Sequence, residues 1–308
     1  MSIVTTAQAV PNRLFSLYAF LIDSENGESR AKFEAWATPP SLSASKSQEE
    51  SDSSTTLFVN SLSEAKRLGL IEEEDGRLRV TSNAKTVGSS KAPIEDRFRS
   101  FMLQTLFDPA RAEETGHAAF MLAMCWFLDC SPLHPLNFSE GPQNRIKFEI
   151  GDNNAPQTEL TSVNRYQNFV YWARHLGFAT IVGSAGDDAV GARQVFVDPT
   201  RAIAAALPDI FGSETTLSAD TFLSRLSAIY PVFEGGSARK RYDALRKAAP
   251  TESGTSRLSI ATSFALKRLA NRQIIALEAI ADAPSRILNL GMNVEERVSQ
   301  ITLKVPTA

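Results

Sequence analysis

Nine basic side chains, Arg239, Lys240, Arg241, Arg246, Lys247, Arg257, Lys267, Arg268 and Arg272, crowd one stretch of this 308-residue chain, with only Asp243 and Glu252 among them. The whole chain has a net charge of −3, so this stretch is cationic against an acidic remainder. Guanidinium and ammonium groups gathered in this way suit phosphate. Each neutralises one backbone charge, and an arginine can grip two oxygens at once. Uneven charge of this kind points to a nucleic-acid face better than total charge does. The competing reading is a solvated helix face, where basic runs are common.

Catalytic chemistry finds less to work with. Histidine occurs only at 117, 134 and 175, and none sits in a nucleophile, metal or acid–base signature. Cys125, Cys130 and His134, with His117 upstream, offer metal ligands, but a structural zinc wants a second close pair. Cys125 also lies beside Trp126 and Phe127 in an apolar run, where a thiol fills core space. The glycines of Gly183-Ser184-Ala185-Gly186 precede a strand pattern and carry no lysine, so they read as a turn and not a phosphate cradle. The chain is therefore expected to be no enzyme, with no catalytic residue, no metal and no cofactor.

The elements that must carry the basic residues come from a pattern written three times. Ala65-Lys66-Arg67-Leu68-Gly69-Leu70-Ile71 and Ala173-Arg174-His175-Leu176-Gly177-Phe178-Ala179 each close an amphipathic helix at Gly and start a strand. A looser copy, Leu266-Lys267-Arg268-Leu269-Ala270, reaches its strand only after Asn271, Arg272 and Gln273. A helix passing through one glycine into a β-ribbon is how a winged helix-turn-helix joins its third helix to its wing. The copies stand roughly 100 residues apart, the size of a small domain. The expected fold is α+β, mainly helical with small β-hairpins. It comprises three tandem winged helix-turn-helix modules over 1–85, 94–207 and 216–308, joined at 83–93 and 208–217. A serine-rich polar stretch at 41–54 reads as an insertion into the first.

Helical periodicity predicts helices over 12–22, 29–36, 55–68, 94–107, 112–128, 162–176, 200–207, 218–230, 238–248 and 258–271. Alternation of Ile146, Phe148 and Ile150 predicts a strand, and Asp75-Gly76 a hairpin turn. The third ribbon is expected to pair 274–280 with 287–290, with the tail 294–305 adding one more strand. Outward faces of the third helices then decide what is read. Helix 55–68 offers Asn60, Ser61, Ser63, Glu64, Lys66 and Arg67, but Glu72, Glu73 and Glu74 in its wing would repel phosphate. Helix 162–176 offers Asn164, Arg165, Gln167, Asn168 and Arg174, able to read base edges, against Asp187 and Asp188 in its wing. Helix 258–271 offers Ser259, Thr262, Ser263, Lys267 and Arg268 behind the basic run, so the third module is the expected DNA contact.

Hydrophobic residues at 43% and charged residues at 22% are ordinary globular usage, which excludes a chain disordered throughout. Two cysteines are too few for a disulfide framework. The most apolar run, 118–128, falls short of the about 20 residues a membrane span needs. With no signal-peptide pattern at 1–8, the expectation is a cytoplasmic protein without a membrane partner.

Pro11-Asn12-Arg13-Leu14-Phe15, the three helix–ribbon units, and the closing Leu266-Lys267-Arg268-Leu269, Ile287-Leu288-Asn289-Leu290 and Val298-Ser299-Gln300-Ile301 together resemble the DpdG family. That resemblance implies an accessory protein of the bacterial defence island that inserts 7-deazaguanine derivatives into DNA and restricts DNA lacking them. It implies no catalytic residue. The function expected is a non-enzymatic accessory that helps a defence or DNA-modification complex engage double-stranded DNA. The alternative is a tandem winged-helix scaffold subunit that assembles with an ATPase or nuclease partner.

Overall fold

Proline at the first helical position costs nothing, because its missing amide has no partner there. Pro11 accordingly opens α1 (Pro11–Leu21), which buries Leu14, Leu17, Tyr18 and Leu21 along one side. The computed structural model describes residues 3–6, 9–24, 26–37, 48–87, 91–183, 193–247, 256–291 and 295–304. After α1 come β1 (Glu28–Ser29), α2 (Arg30–Ala37), α3 (Gln48–Arg67), β2 (Ile71–Glu74) and β3 (Arg77–Val80). The strands form an antiparallel sheet in the order β1-β3-β2, with Glu28 opposite Leu78 and Ile71 opposite Val80. Asp75 and Gly76 both take positive φ, 50° and 73°, as a two-residue hairpin turn requires. The helix expected from 55 starts at Gln48, within the polar stretch; residues 41–47 of that stretch lie outside the described residues.

The expected joint at 83–93 contains α4 (Ser82–Thr86), whose start is capped where Thr81 Oγ1 accepts from the Ala84 amide at 3.2 Å. Then follow α5 (Ile94–Leu106), α6 (Ala112–Thr115) and α7 (His117–Asp129). The single helix expected over 112–128 is split, because Gly116 at φ 75° breaks it. α7 is buried on all sides from Phe120 to Leu128, which makes it the central rod of the molecule.

Beyond β4 (Leu136–Asn137), residues 146–150 are not the expected strand but part of α8 (Gln143–Ile150). Ile146 and Ile150 are four apart and share the buried side, whereas Phe148 is 81% exposed. Arg145 and Glu149 pair at 2.8 Å across one turn, and Gly151 at φ 92° ends the helix. A short 3₁₀ turn (Ala155–Thr158) leads to α9 (Val163–Leu176), β5 (Ala179–Val182), β6 (Gln194–Val197) and α10 (Thr200–Phe211). The sheet order is β4-β6-β5. Gly177, at φ 91°, both ends α9 and admits α10, since a Cβ there would stand 2.9 Å from the Ala202 amide nitrogen. α10 runs through Pro208 into the expected joint at 208–217.

The last part holds β7 (Thr216–Ser218), α11 (Ala219–Ile229), α12 (Ser237–Leu245), α13 (Ile260–Asn271), β8 (Ile275–Glu278), β9 (Arg286–Asn289), β10 (Glu295–Val298) and β11 (Gln300–Leu303). The expected pairing of the third ribbon is overturned. β8 pairs with β11, which lies between β7 and β8, and β9 pairs with β10. Val298 and Ile301 supply the reason: both are buried, so the tail is drawn into the core as two strands instead of one. Ser299 between them donates to the Glu278 carbonyl and accepts from the Ile280 amide at 2.7 Å, closing the end of β8.

One continuous core joins all of this. Phe178 stacks near Phe107 at 5.3 Å, Tyr230 at 5.7 Å and Phe233 at 5.9 Å, bringing rings from the middle and last parts together. The amino-terminal stretch docks on α9: Asn168 Nδ2 donates to the carbonyls of Ile3, Val4 and Thr6 at 2.9, 3.3 and 3.1 Å, and Trp172 Nε1 to that of Ala9 at 2.9 Å. Among the described residues no helix is long and apolar enough to cross a membrane.

Two expected outcomes follow from this packing. Ile301→Asp puts a carboxylate at the centre of the β7-β11-β8 sheet and should cost roughly 3 kcal/mol or more in urea unfolding; Thr302→Asp, on the half-exposed side, should change the midpoint little. His117 is fully buried with neither ring nitrogen hydrogen-bonded, and burial, aided by Arg67 and Arg111, pushes its pKa from 6.5 to about 3. The unfolded chain takes up that proton first, so stability should fall as pH drops from 6.5 towards 3. Thermal melts of His117→Leu across that window should show a shallower decline, and an unchanged pH slope would refute the assignment.

Candidate functional site

The basic run expected to grip phosphate is folded largely into ion pairs. Arg239 projects from α12 with its side chain only 11% exposed, its Nη2 2.6 Å from Asp129 and its Nε 3.0 Å from Asp243. Its guanidinium also lies over the Tyr242 ring at 5.6 Å. Asp129, the last residue of α7, takes a second cation on its other oxygen, Arg246 Nη1 at 2.9 Å. Burial works against the charge of Arg239, but Asp129, Glu234 and Asp243 outweigh it and hold the group charged above its ordinary range.

The other basic residues divide in two. Arg241 pairs with Glu113, Arg257 with Glu295, Lys267 with Glu296 at 2.6 Å, and Arg268 with Asp198 at 2.5 Å. Asp198 is shared, because its other oxygen accepts from the Thr200 amide at 3.2 Å and caps α10. Lys240 and Arg272 are exposed and have no carboxylate partner among the described residues, and Lys247 donates to the Lys147 carbonyl at 3.2 Å. None of the partner carboxylates except Asp243 lies inside the basic stretch, so the stretch alone gives no sign of its neutralisation.

A groove of about 760 Å³ opens beside this network, lined by Arg239, Arg246, Arg257 and Arg286 and by Asp129, Asp220, Glu234 and Asp243. Its charge is mixed. Glu234, which the sequence reading passed over, accepts from the Ser259 amide at 2.7 Å and from Thr262 Oγ1 at 3.0 Å. A carboxylate thus holds the amino-terminal end of α13, the place where a phosphate would otherwise gain from the helix dipole.

The outward faces expected of the three long helices also need correction. Ser61 and Glu64 are buried in α3, where Glu64 pairs with Arg67 and Arg67 donates to the Thr115 carbonyl. Asn168 is buried in α9 under the amino-terminal stretch. Thr262 and Ser263 in α13 are fully buried, and Ser263 Oγ accepts from the Asn289 amide at 2.8 Å. In each case another part of the same chain covers the face. Asn164 and Arg174 remain exposed, Arg165 is half-buried, and Gln167 donates to the Phe138 carbonyl at 3.4 Å. The expected acidic wing is also muted: Arg79 pairs with Glu72 and Glu74, and Lys66 with Glu73. Asp187 and Asp188 lie outside the described residues.

The buried thiols are spent on the backbone. Cys125 Sγ donates to the Val232 carbonyl at 3.8 Å and Cys130 Sγ to that of Trp126 at 3.5 Å, and burial pushes both well above the ordinary thiol range. Among the described residues no three His, Cys, Asp or Glu side chains gather as a metal site.

A family model described as DpdG-like matches residues 1–283. The chain belongs to the DpdG-like family. The match runs from before α1 to just past β8, so it takes in every residue of the seven ion pairs of the basic run except Glu295 and Glu296. No curated protein and no solved structure matches the chain. Within this DpdG-like chain, Asp129→Asn leaves two largely buried guanidinium groups facing one neutral amide and should destabilise by roughly 3 kcal/mol in chemical denaturation. Glu296→Gln, removing a half-exposed pair, should cost under about 1 kcal/mol. Equal losses at the two sites would mean that Asp129 is no more than a surface partner.

Proposed function

We propose that the chain is a non-enzymatic accessory subunit of a bacterial DNA-modification and restriction system, acting in the cytoplasm as a scaffold on which a partner protein of that system assembles. On this reading 1–85, 94–207 and 216–308 are three winged-helix modules fused into one body, each a helix followed by a β-ribbon. Membership of the DpdG-like family supports the defence context. The single observation that carries the scaffold reading is that part of the polar face of each of α3, α9 and α13 is occupied by the chain itself, through Glu64, Asn168, Thr262 and Ser263. A helix whose face is so occupied is built to hold an assembly together and not to enter a groove.

Phe148, the most exposed large apolar side chain, stands beside Lys147 and within reach of Lys247. An aromatic anchor flanked by cations suits a protein partner with an apolar pocket and an acidic rim. A second reading, contact with duplex DNA, draws on Lys240, Lys247 and Arg272, the three members of the basic set that no carboxylate neutralises among the described residues.

Co-expression with the ATPase or nuclease products of neighbouring genes, followed by affinity purification, tests both. The scaffold reading expects a stable complex that Phe148→Ala weakens about tenfold or more. Duplex binding by the full chain that falls steeply with salt and disappears in Lys240→Glu/Lys247→Glu/Arg272→Glu, with no protein complex formed, would replace it with the DNA reading.

A further inference from the structure

Away from the basic run, a cleft of about 620 Å³ lies where four helices converge. Arg13 comes from the start of α1, Arg99 from α5, Arg174 from the last turn of α9 and Arg201 from the first turn of α10. Four guanidinium groups drawn from positions 13 to 201 therefore line one opening, against the two carboxylates of Glu95 and Asp96. Arg99 holds Asp96 at 3.0 Å, whereas Arg174 and Arg201 are exposed and have no carboxylate partner among the described residues. In the expected phosphate site most cations are neutralised; here two face the opening unspent.

Burial first, and then the charges of Arg99 and Arg201, push the His175 imidazole in the cleft wall down to about 4. That wall is neutral at ordinary pH, so the positive charge of the cleft comes from guanidinium groups alone.

We propose that this cleft binds the terminal phosphate of a nucleotide. Planar guanidinium groups from separate helices can take the oxygens of a phosphate dianion from several sides. The volume lies within the roughly 300–1,000 Å³ of small-ligand sites, well beyond what a bare phosphate fills. Tyr171 offers a ring for a base and is held by an edge contact with Phe138 at 5.4 Å. Glu95 offers an acceptor, which a phosphate does not need and a sugar hydroxyl does. The phosphate can belong to a free nucleotide or to the 5′ end of a nucleic-acid strand, and both present the same group. The assignment does not rest on the scaffold reading, since it needs neither a protein partner nor a duplex.

Isothermal titration calorimetry on the full chain tests it with AMP, GMP, adenosine, inorganic phosphate, and one single-stranded oligonucleotide carrying either a 5′-phosphate or a 5′-hydroxyl. Saturable binding is expected for the mononucleotides, for the 5′-phosphorylated strand, or for both, and which of these binds identifies the source. Inorganic phosphate should compete, and adenosine and the 5′-hydroxyl strand should give no saturable heat. Arg174→Gln/Arg201→Gln, both on exposed positions, should lower affinity tenfold or more with an unchanged circular dichroism spectrum, while Lys304→Gln, exposed and outside the cleft, should bind as the natural chain does. Three results would overturn the proposal: no saturation by any phosphate probe at millimolar concentration, undiminished affinity in the double variant, or saturable binding of adenosine or the 5′-hydroxyl strand as tight as that of its phosphorylated counterpart.

Discussion

One carboxylate, Asp129, holds two arginines at the end of the most buried helix of the chain. α7 brings Phe120 to Leu128 into the core and delivers this charge to the place where α12 packs. A buried charge must be matched, and Arg239 and Arg246 match it from both sides. Around that contact the last part of the chain is oriented on the middle part, and Arg241 with Glu113 and Arg268 with Asp198 repeat the arrangement nearer the surface. The aromatic cluster at Phe107, Phe178, Tyr230 and Phe233 fills the space between them. The ion pairs fix direction, and the buried rings remove apolar area from water between them.

The proposed scaffold role rests on where polar groups are used. Backbone carbonyls of the amino-terminal stretch consume Asn168, the start of α13 consumes Glu234, and the last residue of β9 consumes Ser263. Groups spent in this way are unavailable to a base edge or a phosphate. What the surface keeps is Phe148, three unneutralised cations of the basic run, and the guanidinium-lined cleft between α1, α5, α9 and α10. These are separate features of the described surface, drawn from different parts of the chain.

Local signals in the sequence were legible wherever neighbours in the chain decide the outcome. Gly69 and Gly177 mark helix ends because only residues near them matter, and Asp75-Gly76 marks its turn for the same reason. The α+β class and the small antiparallel sheets were readable on that basis. Residues 146–150 misled because an apolar residue at every second position fits a strand and, when Phe148 is left in water, fits a helix equally well. Strand partners in the third ribbon misled because the choice was made by a tail about 20 residues further on, which buried Val298 and Ile301. The basic run was visible, but its neutralisation was not, since Glu113, Asp129, Asp198, Glu295 and Glu296 arrive from elsewhere. The cleft was invisible for the same reason: its four arginines stand far apart in the sequence, at 13, 99, 174 and 201.

The position of β11 has a bearing on how the molecule is made. β7 and β8 have no ladder with each other and meet only through β11. During synthesis, β7 at Thr216–Ser218 is made long before Gln300–Leu303, the strand that pairs with it. It remains an unsatisfied template for any passing strand until the tail arrives. A nascent chain stalled between those points is therefore a candidate for chaperone capture, and the half-made sheet, not the finished one, is the aggregation hazard of this fold.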